Sequence, residues 1–566
     1  MGQAIGFAAV ALLLLAPSLA RAATYTWGVP TGDWSIPGNW GGTLPTANDD
    51  AFITSAATAT VSTAGATCNN LRLDSAVGAA ALQLTAGSLY TTNQYVGYSG
   101  TGVLSQSGGT NSLSNGLCLG YGTGANGSYN LTGGSLAASA GSEVVGGSGT
   151  GTFTQSGGTN SAWGLYLGSD SGGSGTYNLS QAGVLSTAAE SVGAGYNVPV
   201  LFQQTGGSNS AYWLTMGGSN DRYVLSGGTL QVNGGLQSSG VFDGGGGTGT
   251  LSVGPSAIAD FSRGSLVNAA SMSVAVAPDS LLIVPANFDL TKGFGALANS
   301  GMVHVAGGTL SVAPGQGFCG YGSINDFVSC QGTVAALVNG TLSLSGGLYV
   351  SGAGSVSLGN GTLAITGAAS GMSGGSLSAG NETLGGPGYG TFTQSGGSNT
   401  VGSLSIYGTY MLTGGTLNAG TISGGSLIAN GGCWCASNGI SGALGLASSP
   451  GLNLSYSLGG ATGLCSGDNY VGHTGTATLA QSAGTQLAGT MYLGCNPGSS
   501  GSYSLTGGSL GSATPLAASS MLATAAAERS RSLGARTPCR SRCTSGTILA
   551  RAVPTVSVAG PSRQVP

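Results

Sequence analysis

Short runs in which apolar and polar side chains alternate, each closed by glycine, make up most of this chain. The run Val145 to Asn160 shows the form, V-G-x-x-G-x-G-x-F-x-Q-S-G-G-x-N. Strand alternation puts Phe153 and Gln155 on one face and Thr152, Thr154 and Ser156 on the other. A second run, Leu117 to Leu136, follows L-x-L-G and then G-x-Y-x-L-x-G-G-x-L, with Tyr129 and Leu131 at the positions of Phe153 and Gln155. Period-2 runs of β-branched and aromatic residues between Gly-Gly, Ser-Gly and Gly-Thr turns predict strands. No stretch beyond the N-terminal segment carries a helical period.

The two runs alternate. Residues 95–136 return as residues 144–179 after about 48 residues, and each unit splits into halves of about 24. A fixed period of this length marks an array whose single repeat cannot bury its apolar face alone. The expected fold is therefore all-β, a right-handed parallel β-helix of ~24-residue coils paired into ~48-residue repeats, stacked at ~4.8 Å per coil. Aromatic would lie on aromatic, and Gln on Leu, from coil to coil. The double glycines after each strand supply tight corners of positive φ.

Copies are clear at 95–136, 143–190, 191–235, 382–420 and 469–510. They predict solenoid repeats over 76–235 and 381–511. The stretch 236–380 loses the F-x-Q-S-G-G signature and is either degenerate solenoid or a β insertion. Within the repeats, Phe153, Tyr129, Leu131, Phe392 and Tyr503 are expected as core. Gln106, Gln155, Gln204, Gln394 and Gln481 share the core face, so their amides should bond turn backbone, as buried polar groups must; a sugar-binding ladder is the alternative. Asn111, Asn160, Asn209 and Asn399 follow Gly-Gly-x and are expected to cap a turn through nearby backbone.

The segment 23–75 precedes the repeats and gathers Trp27, Trp34 and Trp40, half of the six tryptophans. It reads as a cap over open strand edges, with a carbohydrate-stacking platform as the alternative. The W-x(6)-W-x(5)-W head running into P-T-x-x-D-D-A-x-I resembles the N-terminal segment of exported bacterial proteins with autotransporter-associated β-strand repeats. The YVGYSGTG, FTQSGGTNS and LYLG...GTYNLSGG units resemble those of PEP-CTERM-type surface proteins. The resemblance covers most of residues 1–511 and implies a parallel β-helix displayed at, or released from, the cell surface; neither a sorting tail nor an outer-membrane barrel appears at its end.

The ends of the chain alter the picture. Residues 1–22 form an apolar stretch ending in Ala20-Arg21-Ala22, which predicts a signal peptide and export; no later segment is apolar and glycine-poor enough to cross a bilayer. Seven of the twelve basic residues lie between Arg529 and Arg563. Synonymous codons for Arg542 to Ser562, read one frame over, can yield LYLGYNPGTGGTYSLSGGS, which matches MYLGCNPGSSGSYSLTGGS at 491–509. Residues 512–566 are therefore expected to be an out-of-frame, disordered tail. Over 23–511, four cations face fifteen acids, a net charge of −11. That balance excludes a nucleic-acid partner, which needs clustered Lys and Arg.

The chemistry-bearing residues are sparse. Of the ten cysteines, Cys319 and Cys330, bracketing GYGSINDFVS, are the expected disulfide. Cys433-Trp434-Cys435 is a poor zinc spacing, and Cys118 reads as a tolerated apolar side chain. Asp221-Arg222 is the best local charge cluster, expected as a solvated ion pair. The acids otherwise occur singly, and the two histidines, His304 and His473, form no motif. No catalytic, cofactor or metal site is expected. The leading function is a non-catalytic exported scaffold or adhesin, elongated and contacting extracellular polysaccharide or cell-envelope components. A polysaccharide-active β-helix enzyme and a glycan- or ice-binding module are the alternatives.

Overall fold

The computed structural model describes residues 22–193, 198–336, 339–367, 369–386, 390–436 and, with gaps, 443–512, together with 548–549 and 555–559. The fold is all-β, a β-solenoid of about 19 turns of about 23 residues each. It divides into two compact units. One runs to Trp163 and includes Gly168–Thr176; the other comprises Gly164–Leu167 and everything from Tyr177 onward.

In the first unit the strands Ala80–Leu84, Thr101–Gln106, Asn126–Leu131 and Thr150–Gln155 lie parallel and in register. Leu82, Leu104, Tyr129 and Phe153 consequently form one inward column, and Leu84, Gln106, Leu131 and Gln155 the next. Every second residue is buried, as alternation demands. The Tyr129 and Phe153 rings stack at 4.8 Å, 3° from parallel. The second unit repeats the device: Tyr177, Phe202, Tyr223 and Phe242 stack at 4.9, 4.5 and 5.3 Å. In-register stacking of planar rings fills a lumen whose width the backbone ladder fixes, so Phe202 and Tyr223 each meet two other rings at van der Waals distance.

Coil length varies. Tyr129 pairs with Phe153, an offset of 24, but Phe202 with Tyr223 at 21 and Asn399 with Leu417 at 18. The expected 24 holds at Tyr129 and Phe153, and shorter coils follow even copies that carry the signature, as after Phe392–Asn399. Corners are set by glycine: Gly97 has φ +72°, and a Cβ there would lie 2.2 Å from the Asn126 carbonyl oxygen of the next coil. The second member of the Gly-Gly pairs, as at Gly109, Gly158 and Gly207, likewise has positive φ.

Residues 236–380 continue the solenoid, so the insertion alternative is dropped. Leu251, Val274 and Leu297 pair in series, as do Leu236, Ala259 and Leu282. One break occurs. The first sheet ends at Met302–Val305 and a second begins at Leu310–Val312. Ile258, Leu281 and Ile283 of the first share one buried cluster with Leu310, Phe318 and Ile324 of the second. Tyr321 stacks at 4.9 Å on Trp213 of the earlier strands.

The head is built as the first coil. Thr24–Thr26 pairs with Asp50–Ile53, and Thr31–Asp33 with Thr58–Val61. Trp27, Trp34 and Trp40 are each 3 % exposed and meet edge to face at 5.0 and 4.6 Å. Burial supports the capping role and removes the three indoles from any stacking platform. In the tail, Ile548–Leu549 and Thr555–Ala559 form strands antiparallel to Ser509–Ser512 and Ser500–Leu505, where a disordered segment was expected. The signal-peptide segment through residue 21 lies outside the described residues.

Truncating the middle ring of a stack tests this core. Phe202→Ala should cost about 3–5 kcal/mol, read as a lowered denaturation midpoint with faster amide exchange in the strands that hold Tyr177 and Tyr223. Unchanged exchange there would remove the ring stack from the stability of the coil.

Candidate functional site

The sequence-predicted residues meet inside the solenoid. Gln106, Gln155, Gln204, Gln394 and Gln481 are at most 1 % exposed. Gln106 donates to the Gly109 carbonyl at 3.2 Å and to the Ser135 carbonyl of the next coil at 3.0 Å. Gln204 bonds Gly207 and Thr229, and Gln394 bonds Gly397 and Thr416, in the same way; Gln155 bonds Gly158. Each of these amides thus fastens its own corner, and those of Gln106, Gln204 and Gln394 also fasten the corner stacked on it. The buried tyrosines complete the glutamine. Tyr129 donates to Gln106 Oε1 at 2.6 Å, Tyr223 to Gln204 at 2.7 Å, and Tyr410 and Tyr503 to Gln394 and Gln481. Phe392 packs 5.1 Å from Tyr410.

The asparagines require a correction. They do not cap turns through backbone; Asn111, Asn160, Asn209 and Asn399 are buried in the same lumen. Asn209 Nδ2 donates to Glu190 Oε2 at 2.9 Å and to the Tyr223 hydroxyl at 3.1 Å. Asn399 joins Glu382 to Tyr410, Asn160 bonds Glu143, and Asn111 joins Gln94 to Tyr129. The reason is register: Asn209 pairs between Leu185 and Leu230, so its side chain must point inward. Glu143, Glu190 and Glu382 were missed as a group. Their signal was present, because each sits three residues before a corner glycine (Gly146, Gly193, Gly385), where the first copy has Gln94 before Gly97. Burial raises all three carboxyls to about 7, opposed by the bond from the facing asparagine.

Two further expectations change. Cys319 and Cys330 are both free thiols. Cys330 points into the core beside the Gly332 carbonyl, whereas Cys319 alternates with buried Phe318 and belongs to a different strand column. Asp221 does not pair with Arg222. It turns inward and accepts from the Gly218 amide at 2.6 Å, while Arg222 turns outward to Asp243. Cys118 is a half-buried thiol pushed up to about 12 by burial and then by Asp170, which makes it a poor nucleophile. The Cys433 and Cys435 side chains, and Cys465 and Cys495, lie outside the described residues.

The outer surface carries two grooves of related chemistry, one in each unit. The first, about 540 Å³, is lined by Asn93, Tyr95, Asn115, Ser142 and Trp163. Its amides are held in a line: Asn115 donates to Asn93 at 2.7 Å, Asn93 to Asn70 at 2.9 Å, and Asn70 to Asp50 at 2.7 Å. Tyr95 packs edge-on against the stacked pair Tyr98 and Tyr121. Trp163 is 54 % exposed. The second groove, about 510 Å³, is lined by Tyr212, Trp213, Gln237, Tyr321 and Asn339. Tyr212 follows Asn209 by three residues as Trp163 follows Asn160, so both aromatics stand at one corner of the repeat. Gly234 and Gly235 make room there: a Cβ would fall 2.9 Å from the Tyr212 ring and 2.1 Å from the Trp213 ring. No charged side chain lines either groove.

Removing one hydroxyl from the interior tests how far the glutamines depend on it. Tyr223→Phe leaves Gln204 Oε1 buried without that donor and should cost about 1–3 kcal/mol, measured by denaturant unfolding. A neutral result would mean that the amide finds another donor.

No family model, curated protein or solved structure matches this chain.

Proposed function

We propose that the chain is a non-catalytic, exported solenoid scaffold or adhesin that holds uncharged polysaccharide in its outward grooves. The observation that carries this reading is the pairing, in both grooves, of exposed aromatics with carboxamides, which in the first groove are fixed in a hydrogen-bonded line. Aromatic faces cover the apolar side of a sugar ring and carboxamides bond its hydroxyls, a division of labour typical of small-molecule sites. The absence of charge from either lining favours a neutral chain over an acidic one. Two grooves on one polypeptide would also raise avidity for a repeating polymer without any new contact.

The non-catalytic part rests on where the charged groups are spent. Against burial, which opposes it, Asp33, Asp49, Asp74 and Asp243 are held below the ordinary carboxylate range by hydrogen bonds from their own turns and from the neighbouring coil, and Arg72 and Arg222 are tied to Asp74 and Asp243. Arg72 also lies 4.0 Å over the Tyr98 ring. Such groups are braces of the coil. Export follows from the reading of residues 1–22 as a signal peptide, and the resemblance to surface repeat proteins supports it.

Native affinity electrophoresis of the full chain tests the binding. Gels containing hydroxyethylcellulose or laminarin should retard it, gels containing alginate should not, and the double variant W163A/Y212A should lose about tenfold in affinity while unfolding at the wild-type temperature. Migration unaffected by every neutral polymer, or equal retardation of wild type and double variant, would remove the grooves from the function. Protease accessibility of the chain on intact cells checks export separately.

A further inference from the structure

Among the described residues, three glutamates, Glu143, Glu190 and Glu382, are buried in the interior, and the proposed binding does not use them. Their geometry is set by the copy in which the position is an amide. There Gln94 and Asn111 form a reciprocal pair: Gln94 Nε2 donates to Asn111 Oδ1 at 2.7 Å, and Asn111 Nδ2 donates back to Gln94 Oε1 at 3.0 Å. Gln94 also bonds the Thr91 hydroxyl at 3.1 Å, so its whole amide is satisfied. In two of the glutamate copies only one half of that pair is made. Asn209 donates to Glu190 Oε2 and Asn399 to Glu382 Oε2, each at 2.9 Å, whereas Asn209 Oδ1, Glu382 Oε1 and Asn399 Oδ1 are buried and accept no hydrogen bond, and Glu190 Oε1 has only the Thr187 hydroxyl beside it. By correspondence with Gln94, the empty carboxyl oxygen stands where an N–H stood, opposite the empty amide oxygen.

Two facing acceptors that are both buried out of contact with bulk solvent are each desolvated without compensation. One proton repairs it. We infer that Glu190 and Glu382, and Glu143 at the same repeat position, are built into the solenoid as neutral carboxylic acids, each donating an O–H to the asparagine stacked on it in place of the glutamine amide, and that loss of these protons loosens the coils. The groups facing each carboxyl are uncharged: Asn160 and the Tyr129 hydroxyl at Glu143; Asn209, Thr187 and Tyr223 at Glu190; Asn399 and Tyr410 at Glu382. Leucines pair directly above and below, Leu117 below Glu143, Leu214 above Glu190 and Leu363 and Leu404 around Glu382. The upward displacement of all three carboxyls to about 7 accords with this environment.

The sign of the pH effect follows. The folded state binds these protons more tightly than the unfolded chain, whose glutamates titrate near the ordinary 4.5. The stabilisation is therefore complete below that value and is lost as pH rises through about 7. The experiment compares wild type with the triple variant E143Q/E190Q/E382Q, which copies the Gln94 arrangement. Between about pH 5 and about pH 9 the thermal midpoint of the wild type should fall more steeply than that of the variant, and the variant should be the more stable at the alkaline end. Parallel curves, or a variant less stable than wild type at the alkaline end, would overturn the inference. Infrared difference spectra of the wild-type chain give a second readout: a carboxylic-acid carbonyl band at neutral pH that disappears on alkalinisation is expected, and ionised carboxylate alone under those conditions would overturn it even if the triple variant failed to fold.

Discussion

The coils that carry the repeat signature depend on the side-chain amide of a corner glutamine, shared with the coil stacked on it. Coil-to-coil backbone bonds continue through the corners, and buried corner carbonyls such as those of Gly109 and Ser135 take a further, side-chain donor. The glutamine answers this by spanning two levels at once, as Gln204 does between Gly207 of its own coil and Thr229 of the next. Because its amide donors are occupied by corners, its carbonyl needs a donor, and the stacked tyrosine supplies one. The tyrosine in turn accepts from asparagine, and asparagine faces glutamate or glutamine. One corner glutamine is thus linked to three further polar positions, and the ring stack and leucine layers close around them.

This dependence explains how much of the fold was legible. The alternation in Thr150–Gln155, the glycine corners and the period identified a parallel solenoid, and the burial of Gln155 with Phe153 followed from their shared face. Coil length was less legible, because register counts residues between facing strands and is indifferent to what the turns discard; the shortening to 18 at Asn399 leaves the inward pattern intact. The continuity of 236–380 was hidden for the same reason. Val, Leu and Ile can fill a lumen without the Gln and Tyr that make a copy recognisable.

The interior polar chemistry was read only in part. Asn209 looked like a turn residue because it follows Gly-Gly-Ser, and turn preference and inward register make different demands on it; packing decided the outcome. Glu143, Glu190 and Glu382 were judged as scattered acids because charge was counted along the chain rather than by position in the repeat. The Cys319–Cys330 disulfide failed on the same distinction, since nearness in sequence says nothing about which side of a strand a thiol occupies. The groove aromatics Trp163 and Tyr212 share one repeat position, yet outward aromatics leave no periodic trace that separates them from ordinary surface variation.

The circuit that begins at Glu190 runs through Asn209 and Tyr223 to Gln204 and the Thr229 backbone, and so crosses three successive levels before it closes. Along the column of Glu190, the next two levels hold Leu214 and Leu236, so polar and leucine layers do not match one another. Where polar and leucine levels do alternate, as along Leu84, Gln106, Leu131 and Gln155, loss or gain of a single coil would set leucine against leucine and strand an amide, whereas loss or gain of two restores that column. In such repeats the smallest change in length that the interior accepts is a pair of coils, which is the period on which the sequence repeats there.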